Sequence, residues 1–296
     1  MTSILDAIKG NTEGSYETRP FCQAERGSEG EGAGIFITDL QATAVGFGKS
    51  VEVTETSGWV RHRKMFNGAK DITEGWLAEK PRMIILLSSP LAMFQRETGK
   101  YIGVYDDMKY KANSSIYVLK TKYLVFFVNN ENKILHETPL QLTAKGVFGG
   151  SFGDVVKKFK KQFLAVTGEK KRMNSVFWSR CILQPHVISE TKKVSGTSVT
   201  MAKVTGFTPV KLTQLERVYL SEHTNSEDVE IITEALELNS EFGWNAEQET
   251  PQGDVVAENF PEASPFTPTD NLADRIRAEM AANSEDETDE PAELPF

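Results

Sequence analysis

The chain has 296 residues, of which 39% are hydrophobic, a share low enough that we expect part of it to lie outside any core. The first ten residues include Asp6 and no long apolar run, so a secretory signal peptide is not indicated. The longest apolar stretches, 83–87 and 123–128, are too short to span a bilayer. Cys22 and Cys181 lack metal-site spacing. These features favour a soluble protein of the reducing cytoplasm with no membrane partner.

The formal net charge of −9 is divided unevenly along the chain. Residues 221–296 contain 21 acidic and two basic residues, a net charge of −19, and residues 1–220 contain 31 basic and 21 acidic residues, a net charge of +10. A basic body joined to an acidic tail is suited to binding a polyanion. Ordinary solvated charge on a folded domain, followed by an unrelated acidic linker, is the alternative interpretation.

In chain order, residues 1–33 are rich in Glu, Gly and Ser and predict a flexible leader. Residues 34–220 are predicted to form a basic, β-rich, nucleic-acid-binding domain with a few helices. Short β-like runs separated by turn residues predict strands at 35–38, 51–53, 59–66, 83–87, 100–105, 115–128 and 133–136. Several short strands at this spacing favour a barrel or a sandwich over alternating β and α units.

A helix is predicted from Asp154, as its N-cap, to about residue 166. Its apolar residues fall at helical spacing on one face, its lysines cover the other face, and Gly168 follows it. The glycine-rich segment 146–153 is predicted to be a turn before this helix. Within that turn, Phe148 and Phe152 are candidates for flexible stacking residues.

The rest of the chain is predicted to form two further strands and a helical segment before an acidic tail. The strand-like segments are 175–183 and 199–205, and the helical segment is 221–243, with a helix at 227–238. Residues 244–296 are predicted to be a disordered acidic tail, within which Asp270 can cap one short helix.

The segment 59–66 is basic and has aromatic residues at both ends. In a strand, Trp59, Arg61 and Arg63 share one face. Cations beside an aromatic platform suit single-stranded nucleic acid, because bases stack on rings while phosphates contact the charges. The alternative is an edge strand with cations facing solvent and Trp59 in the core.

The predicted strand 115–128 carries Lys120 and Lys122 at mid-strand on one face, and the opposite face is predicted to be core. A basic groove is one interpretation of this pattern. A half-exposed sheet face is the other.

The densest basic patch has seven positive charges within sixteen residues. They are Lys157, Lys158, Lys160, Lys161, Lys170, Lys171 and Arg172. Trp178 and Arg180 follow on what is predicted to be one face of a strand. Local charge density beside a Trp/Arg pair favours nucleic-acid binding. An amphipathic helix with a solvated lysine face is the alternative.

No catalytic, metal or cofactor motif is present in the sequence. The four histidines are scattered, and neither a serine-nucleophile elbow nor a phosphate-binding loop occurs. We therefore expect a protein that is not an enzyme and that uses no cofactor. An enzyme acting on nucleic acid would need a carboxylate cluster assembled from distant residues.

The tail ends with six acidic residues among residues 285–296, no basic residue, and the tripeptide Leu294-Pro295-Phe296. This tip resembles that of bacterial single-stranded DNA-binding proteins, which is acidic and ends in Ile-Pro-Phe. Pro291 and Ala292 interrupt the acids, where that family has contiguous Asp. The resemblance implies an OB-like β-barrel core that binds the strand. It also implies a tip that docks replication, recombination and repair proteins, through Asp289, Glu290, Glu293, Leu294, Pro295 and Phe296.

The resulting hypothesis is a protein that coats single-stranded DNA, with Trp59, Arg61, Arg63, Lys120, Lys122, Trp178 and Arg180 as contacts and the dense basic patch as electrostatic support. The tail would recruit partners and compete with DNA for the basic groove. A homo-oligomer is compatible with the sequence. The alternative is a protein-interaction adaptor or phage structural protein that binds no nucleic acid.

Overall fold

A computed structural model describes residues 19–27, 32–66, 71–168, 173–194 and 197–244. In these ranges the protein is mainly β, with a large mixed sheet and a few helices, which confirms the fold class predicted from the sequence at that level. No helix in the described ranges is long and apolar enough to cross a membrane.

The described ranges contain twelve strands. They are β1 (Phe21–Glu25), β2 (Gly34–Thr38), β3 (Val60–Phe66), β4 (Asp71–Ala78), β5 (Met83–Ser88), β6 (Ala92–Gln95), β7 (Tyr101–Val104), β8 (Tyr117–Phe127), β9 (Leu140–Lys145), β10 (Ile182–Leu183), β11 (Pro185–Val194) and β12 (Thr197–Phe207).

Six α-helices and a 3-10 helix accompany the strands in the same ranges. The α-helices are α1 (Asp39–Val45), α2 (Val51–Thr56), α3 (Asp107–Ala112), α4 (Gly146–Thr167), α5 (Ser175–Trp178) and α6 (Ser226–Leu238), and the 3-10 helix is Leu212–Arg217.

Ten strands form one sheet in the order β10-β5-β8-β9-β1-β2-β4-β3, and β6 and β7 extend from the first half of β8. The β1–β9 pair is parallel, and the other pairs are antiparallel. The ends of this path, β3 and β10, do not pair in the described residues, so a closed barrel is not shown. The strands β11 and β12 form a separate two-stranded ribbon.

The second half of β8 is apolar on both faces because each face is covered by a helix. Tyr123 and Phe127 pack in one core cluster with residues of α4, while Leu124 and Phe126 pack in another with residues of α6. The first half of β8 pairs with β6 and β9, and its even-numbered residues face the same side as α6. The two faces of β8 therefore have different neighbours, with α4 on the side of Tyr123 and α6 on the side of Leu124.

Helix α4 begins eight residues before the predicted cap at Asp154, so the prediction of a turn at 146–153 was wrong. Phe148 and Phe152 are buried and extend the apolar stripe of the helix by one and two turns. Their rings lie 5.4 Å apart in a stacked arrangement, so they form part of the core and are not free stacking residues. The predicted end at Gly168 is confirmed, with φ of 71° at that C-cap.

One segment predicted as a strand and the start of another are helical, and a polar residue caps each helix, while Ile182–Leu183 of the second segment is the strand β10. The Ser50 side chain accepts a hydrogen bond from the backbone N–H of Val53, and α2 forms over the predicted strand 51–53. The Asn174 side chain accepts one from Phe177, and α5 forms at the start of the predicted strand 175–183.

Three other predictions differ from the structure. Within the predicted leader, Phe21–Glu25 forms β1 and pairs with both β2 and β9. The predicted strand 133–136 reduces to one isolated bridge, between Val128 and Ile134. Strands β4, β6, β9 and β11 were not predicted, whereas α6 confirms the helix at 227–238.

A buried arginine connects the sheet to a loop and to the 3-10 helix by hydrogen bonds. Arg82 is 8% exposed, and its guanidinium donates hydrogen bonds to the carbonyl of Asn129, the side-chain oxygen of Asn132 at 2.5 Å and the carbonyl of Arg217 at 2.6 Å. Burial lowers the pKa of Arg82 from its ordinary value. Three oxygen acceptors thus hold a buried cation at the junction of the sheet, the 129–132 loop and the 3-10 helix.

Candidate nucleic-acid interface

Lys120 and Lys122 are half-buried beside aromatic side chains on the first half of β8. The Nζ atom of Lys120 is 4.3 Å from the centroid of the Phe94 ring on β6, and the Nζ atom of Lys122 is 4.3 Å from the centroid of the Trp244 ring. Both distances are those of cation–π contacts. These lysines therefore form part of a mixed aromatic and cationic surface.

Trp244, six residues after the end of α6, completes this aromatic cluster. Its ring centroid is 4.8 Å from that of Phe94, in an edge-to-face arrangement, and 6.2 Å from that of Tyr101, with the two planes 24° apart. Its Nε1–H group donates a hydrogen bond of 2.6 Å to the carbonyl of Pro90. Phe94 is buried, while Tyr101 and Trp244 are partly exposed.

A third lysine joins this surface from β9. Lys145 is the direct partner of Lys120 in the antiparallel β8–β9 pair, so the two side chains leave the same face side by side. The pair places two ammonium groups close together on this face. We call Phe94, Tyr101, Lys120, Lys122, Lys145 and Trp244 the lysine–aromatic face.

The predicted lysine helix forms a second basic surface. Lys157, Lys158 and Lys161 are exposed on α4, and the Nζ atom of Lys160 is 5.1 Å from the centroid of the Trp178 ring. Although Lys160 as a whole is exposed, its surroundings partly desolvate the ammonium and lower the pKa of Lys160. The other predicted members of the patch, Lys170, Lys171 and Arg172, lie outside the described residues.

These two basic surfaces are on opposite sides of the sheet. The Phe152 ring of α4 contacts the Tyr123 ring with centroids 5.0 Å apart, and Tyr123 faces the side opposite to Lys120 and Lys122. The single basic groove predicted from the sequence is therefore not formed by these residues.

The predicted contact set 59–63 is also rearranged. Trp59 is fully buried, with its ring centroid 4.9 Å from that of Phe47 and 4.8 Å from that of Phe127. It cannot stack on a base without leaving the core, so the structure removes it from the contact set. This arrangement matches the alternative given above, an edge strand with Trp59 in the core.

Arg61 and Arg63 are held by carboxylates. Arg61 donates two hydrogen bonds to the Asp39 carboxylate, at 2.6 and 2.7 Å, and Arg63 is 2.6 Å from a Glu74 oxygen. The bond from Arg61 is the main reason that the pKa of Asp39 lies below its ordinary value. Because Asp39 and Glu74 balance their charges, Arg61 and Arg63 add no net positive charge to this edge of the sheet.

Trp178 and Arg180 do not share a strand face, because α5 replaces the predicted strand. Trp178 packs edge-to-face against Phe163 with ring centroids 6.0 Å apart, and Arg180 is 2.8 Å from a Glu222 carboxylate oxygen. Their predicted pairing as a cation beside a stacking platform was therefore wrong. In the described part of the chain, no group of three or more His, Cys, Asp or Glu residues could hold a metal ion.

Comparison with protein families gives one match that covers most of the chain. Residues 17–254 match the model of a family described as "Domain of unknown function (DUF5895)". The chain belongs to this family. The matched region of this DUF5895 protein contains the whole lysine–aromatic face and ends before the predicted docking tip.

One relative comes from a virus. The DUF5895 chain is 28% identical over 151 residues to "Uncharacterized protein 254L" of Invertebrate iridescent virus 6. The alignment covers 47% of the chain and 45% of the viral protein, so the chain spans less than half the length of that relative. No solved structure matches the DUF5895 chain significantly.

Four members of the lysine–aromatic face were not predicted from the sequence. Lys145 could have been found, because β9 alternates buried Leu140, Leu142 and Ala144 with polar residues. Phe94 and Tyr101 are direct partners in the local β6–β7 hairpin, but β6 was not predicted as a strand. Trp244 had no local signal, because it lies outside the strands and far along the chain from the two rings that it contacts. The six predicted docking residues of the tip lie outside the described residues.

Proposed function

We propose that this DUF5895 protein binds single-stranded DNA on the lysine–aromatic face, without catalysing a reaction. The observation that carries the proposal is the grouping of three lysines with two partly exposed aromatic rings on one face of the sheet. A single strand offers bases that stack on rings and phosphates that attract ammonium groups. Such binding is expected to be sensitive to salt and weakly selective for sequence.

The spacing of the lysines supports binding to an extended polyanion. Lys120 and Lys122 occupy alternate positions of β8 and are therefore about 7 Å apart along the strand. Lys145 adds a third charge on the neighbouring strand β9, so the three ammonium groups are spread over part of the sheet face. This arrangement suits successive phosphates better than a single carboxylate.

The α4 surface is the competing location for the same activity. It offers more exposed lysines, but among its described lysines a contact with an aromatic ring is seen for Lys160, whereas Lys120 and Lys122 each have one. We therefore assign α4 a role in electrostatic support, in which its lysines attract the strand over a longer range.

Three finer features belong to the proposal. An OB-like character of the sheet would fit, because OB folds bind single strands across a curved sheet face. A cytoplasmic location would fit the two buried free thiols of Cys22 and Cys181. The acidic tip, with Phe296 as its apolar anchor, would recruit replication or repair proteins to the bound strand.

The test compares two matched triple variants in a titration of fluorescein-labelled oligo-dT at two salt concentrations. The first variant changes Lys120, Lys122 and Lys145 to Gln, and the control changes Lys157, Lys158 and Lys161 to Gln. Both variants remove three charges, and circular dichroism confirms that each is folded.

We expect the first variant to lose affinity and the control to stay closer to the unchanged protein. The slope of log affinity against log salt should flatten by about 2 in the first variant, since each phosphate contact of a single strand contributes about 0.7. A larger loss in the α4 variant would move the site to the other side of the sheet. If the unchanged protein ignores oligo-dT at low salt, the proposal is refuted and the protein-interaction alternative stands.

A further inference from the structure

We infer that Trp244 is a displaceable plug of the lysine–aromatic face, whose indole occupies the position that a nucleobase takes when a strand binds. This inference rests on the proposed function. Without DNA the site is closed, and the Trp244 side chain must move before a base can stack there.

The surroundings of the Trp244 ring are those that a stacked base would use. One face partner is Tyr101, at 6.2 Å and 24° between planes, one edge partner is Phe94 at 4.8 Å, and the Lys122 ammonium is 4.3 Å from the ring centroid. Aromatic stacking combined with a nearby cation is the arrangement by which proteins hold single-stranded bases.

The hydrogen bond of the indole has an equivalent in bases. The Nε1–H group of Trp244 donates to the carbonyl of Pro90 at 2.6 Å, and the Ser89 hydroxyl donates to the same carbonyl at 3.0 Å. The N–H groups on the edges of bases are donors of the same kind. A base that replaced the indole could therefore satisfy the same acceptor.

Removal of the plug would expose a platform and not destroy one. Phe94 is 1% exposed, and the rings of Trp244 and Tyr101 and the Lys120 ammonium all lie against it. If the indole leaves, Phe94 and Tyr101 remain in strands β6 and β7 with the lysines beside them. The site that results has two rings and three cations, which is the composition required to bind a strand.

The position of Trp244 in the chain makes displacement physically reasonable. Residues 239–244 after α6 form turns and irregular backbone, so the Trp244 side chain is not anchored by a regular element. Residues 245–296 contain 14 acidic and two basic residues, a net charge of −12. A bound polyanion repels a segment of that charge, so strand binding opposes the closed position of Trp244.

The experiment measures oligo-dT affinity for the full chain and for Trp244→Ala, with Trp178→Phe on the opposite side of the sheet as control. If the closed form holds about nine-tenths of the molecules, removing the plug tightens binding about tenfold, because apparent affinity scales with the open fraction. The control should bind as the unchanged protein does. Unchanged affinity in Trp244→Ala overturns the plug, and weaker binding would make Trp244 a stacking platform instead.

A second measurement follows Trp244 in the unchanged sequence. The difference in tryptophan fluorescence between the full chain and Trp244→Phe reports this side chain, and acrylamide quenching reports its access to solvent. Saturating oligo-dT should make Trp244 more accessible if it is displaced. Lower accessibility on binding overturns the inference.

The outcomes separate this inference from the proposed function. Binding that is lost in the Lys120/Lys122/Lys145 variant but is insensitive to Trp244 overturns the plug and leaves the proposed function intact. Absence of binding in both the full chain and Trp244→Ala refutes both.

Discussion

Protonation of His136 is expected to destabilise the fold in mild acid. This histidine is 3% exposed, its Nε2 atom accepts a hydrogen bond from the backbone N–H of Phe127 at 2.9 Å, and its Nδ1 atom lies 2.7 Å from the carbonyl of Thr138. Nδ1 must therefore carry the proton, and Nε2 must be unprotonated. Burial is the main reason that the pKa of His136 falls from 6.5 to about 4.

The sign and size of the effect follow from linkage. Because the folded state favours neutral His136, the stability from this group is fully present above pH 6.5 and declines as the pH falls towards about 4. The complete change corresponds to about 3 kcal/mol, and about 2 kcal/mol of it is lost by pH 5.

Urea denaturation between pH 7.5 and pH 5 tests this in the full chain, in His136→Gln and in His223→Gln. Glutamine does not titrate but can accept the hydrogen bond from Phe127, so the difference in the free energy of unfolding between the full chain and His136→Gln should shrink by about 2 kcal/mol. His223 is exposed, and its variant should follow the full chain. Parallel profiles for the full chain and His136→Gln would refute the argument.

Two further predictions concern packing. Gly149→Ala should destabilise the protein although alanine favours helices, because the new Cβ atom would lie 3.0 Å from backbone atoms of Ala144. The neighbouring change Gly150→Ala meets nothing within 4 Å and should stabilise α4 by up to about 1 kcal/mol. Thermal unfolding compares the two, and equal effects would contradict the packing argument. Arg82→Lys should lower the free energy of unfolding by about 2–4 kcal/mol, since an ammonium cannot reach all three oxygen acceptors of the buried guanidinium. The exposed Arg96→Lys is the control in urea denaturation, and an equal loss in both variants would count against this role of Arg82.

Helices and strands in which apolar residues recur at a regular spacing could be predicted from the sequence. The alternation in β8 and the apolar stripes of α4 and α6 are local patterns, and all three elements were found. The start of α4 was misplaced because glycines at 149, 150 and 153 are typical of turns, whereas burial of Phe148 and Phe152 outweighs that preference. The prediction of a strand at 51–53 was wrong, because a segment this short has no clear period and a capping residue such as Ser50 can favour a helix.

The candidate site was predictable only in part, because local patterns reveal which residues share a strand face but not which distant residues they contact. The shared face of Lys120 and Lys122 follows from the alternation of one strand. Trp59 was predicted to be a surface platform, because the residues next to it in the sequence do not reveal its contact with the distant Phe127 ring. Residues 94 and 244 are 150 positions apart and are brought into contact by strand pairing and by the path of the chain after α6.

The charge division between residues 1–220 and 221–296 follows directly from composition, and the side of β8 on which its lysines lie follows from the alternation of one strand. The folded chain is needed to show that Arg61 and Arg63 are paired with carboxylates and that α4 lies on the other side of the sheet from Lys120. The same holds for the contact by which Trp244 covers Phe94. Contacts of this kind depend on which strands pair and which helices cover them, and the burial of apolar area, to which distant residues contribute together, drives that choice.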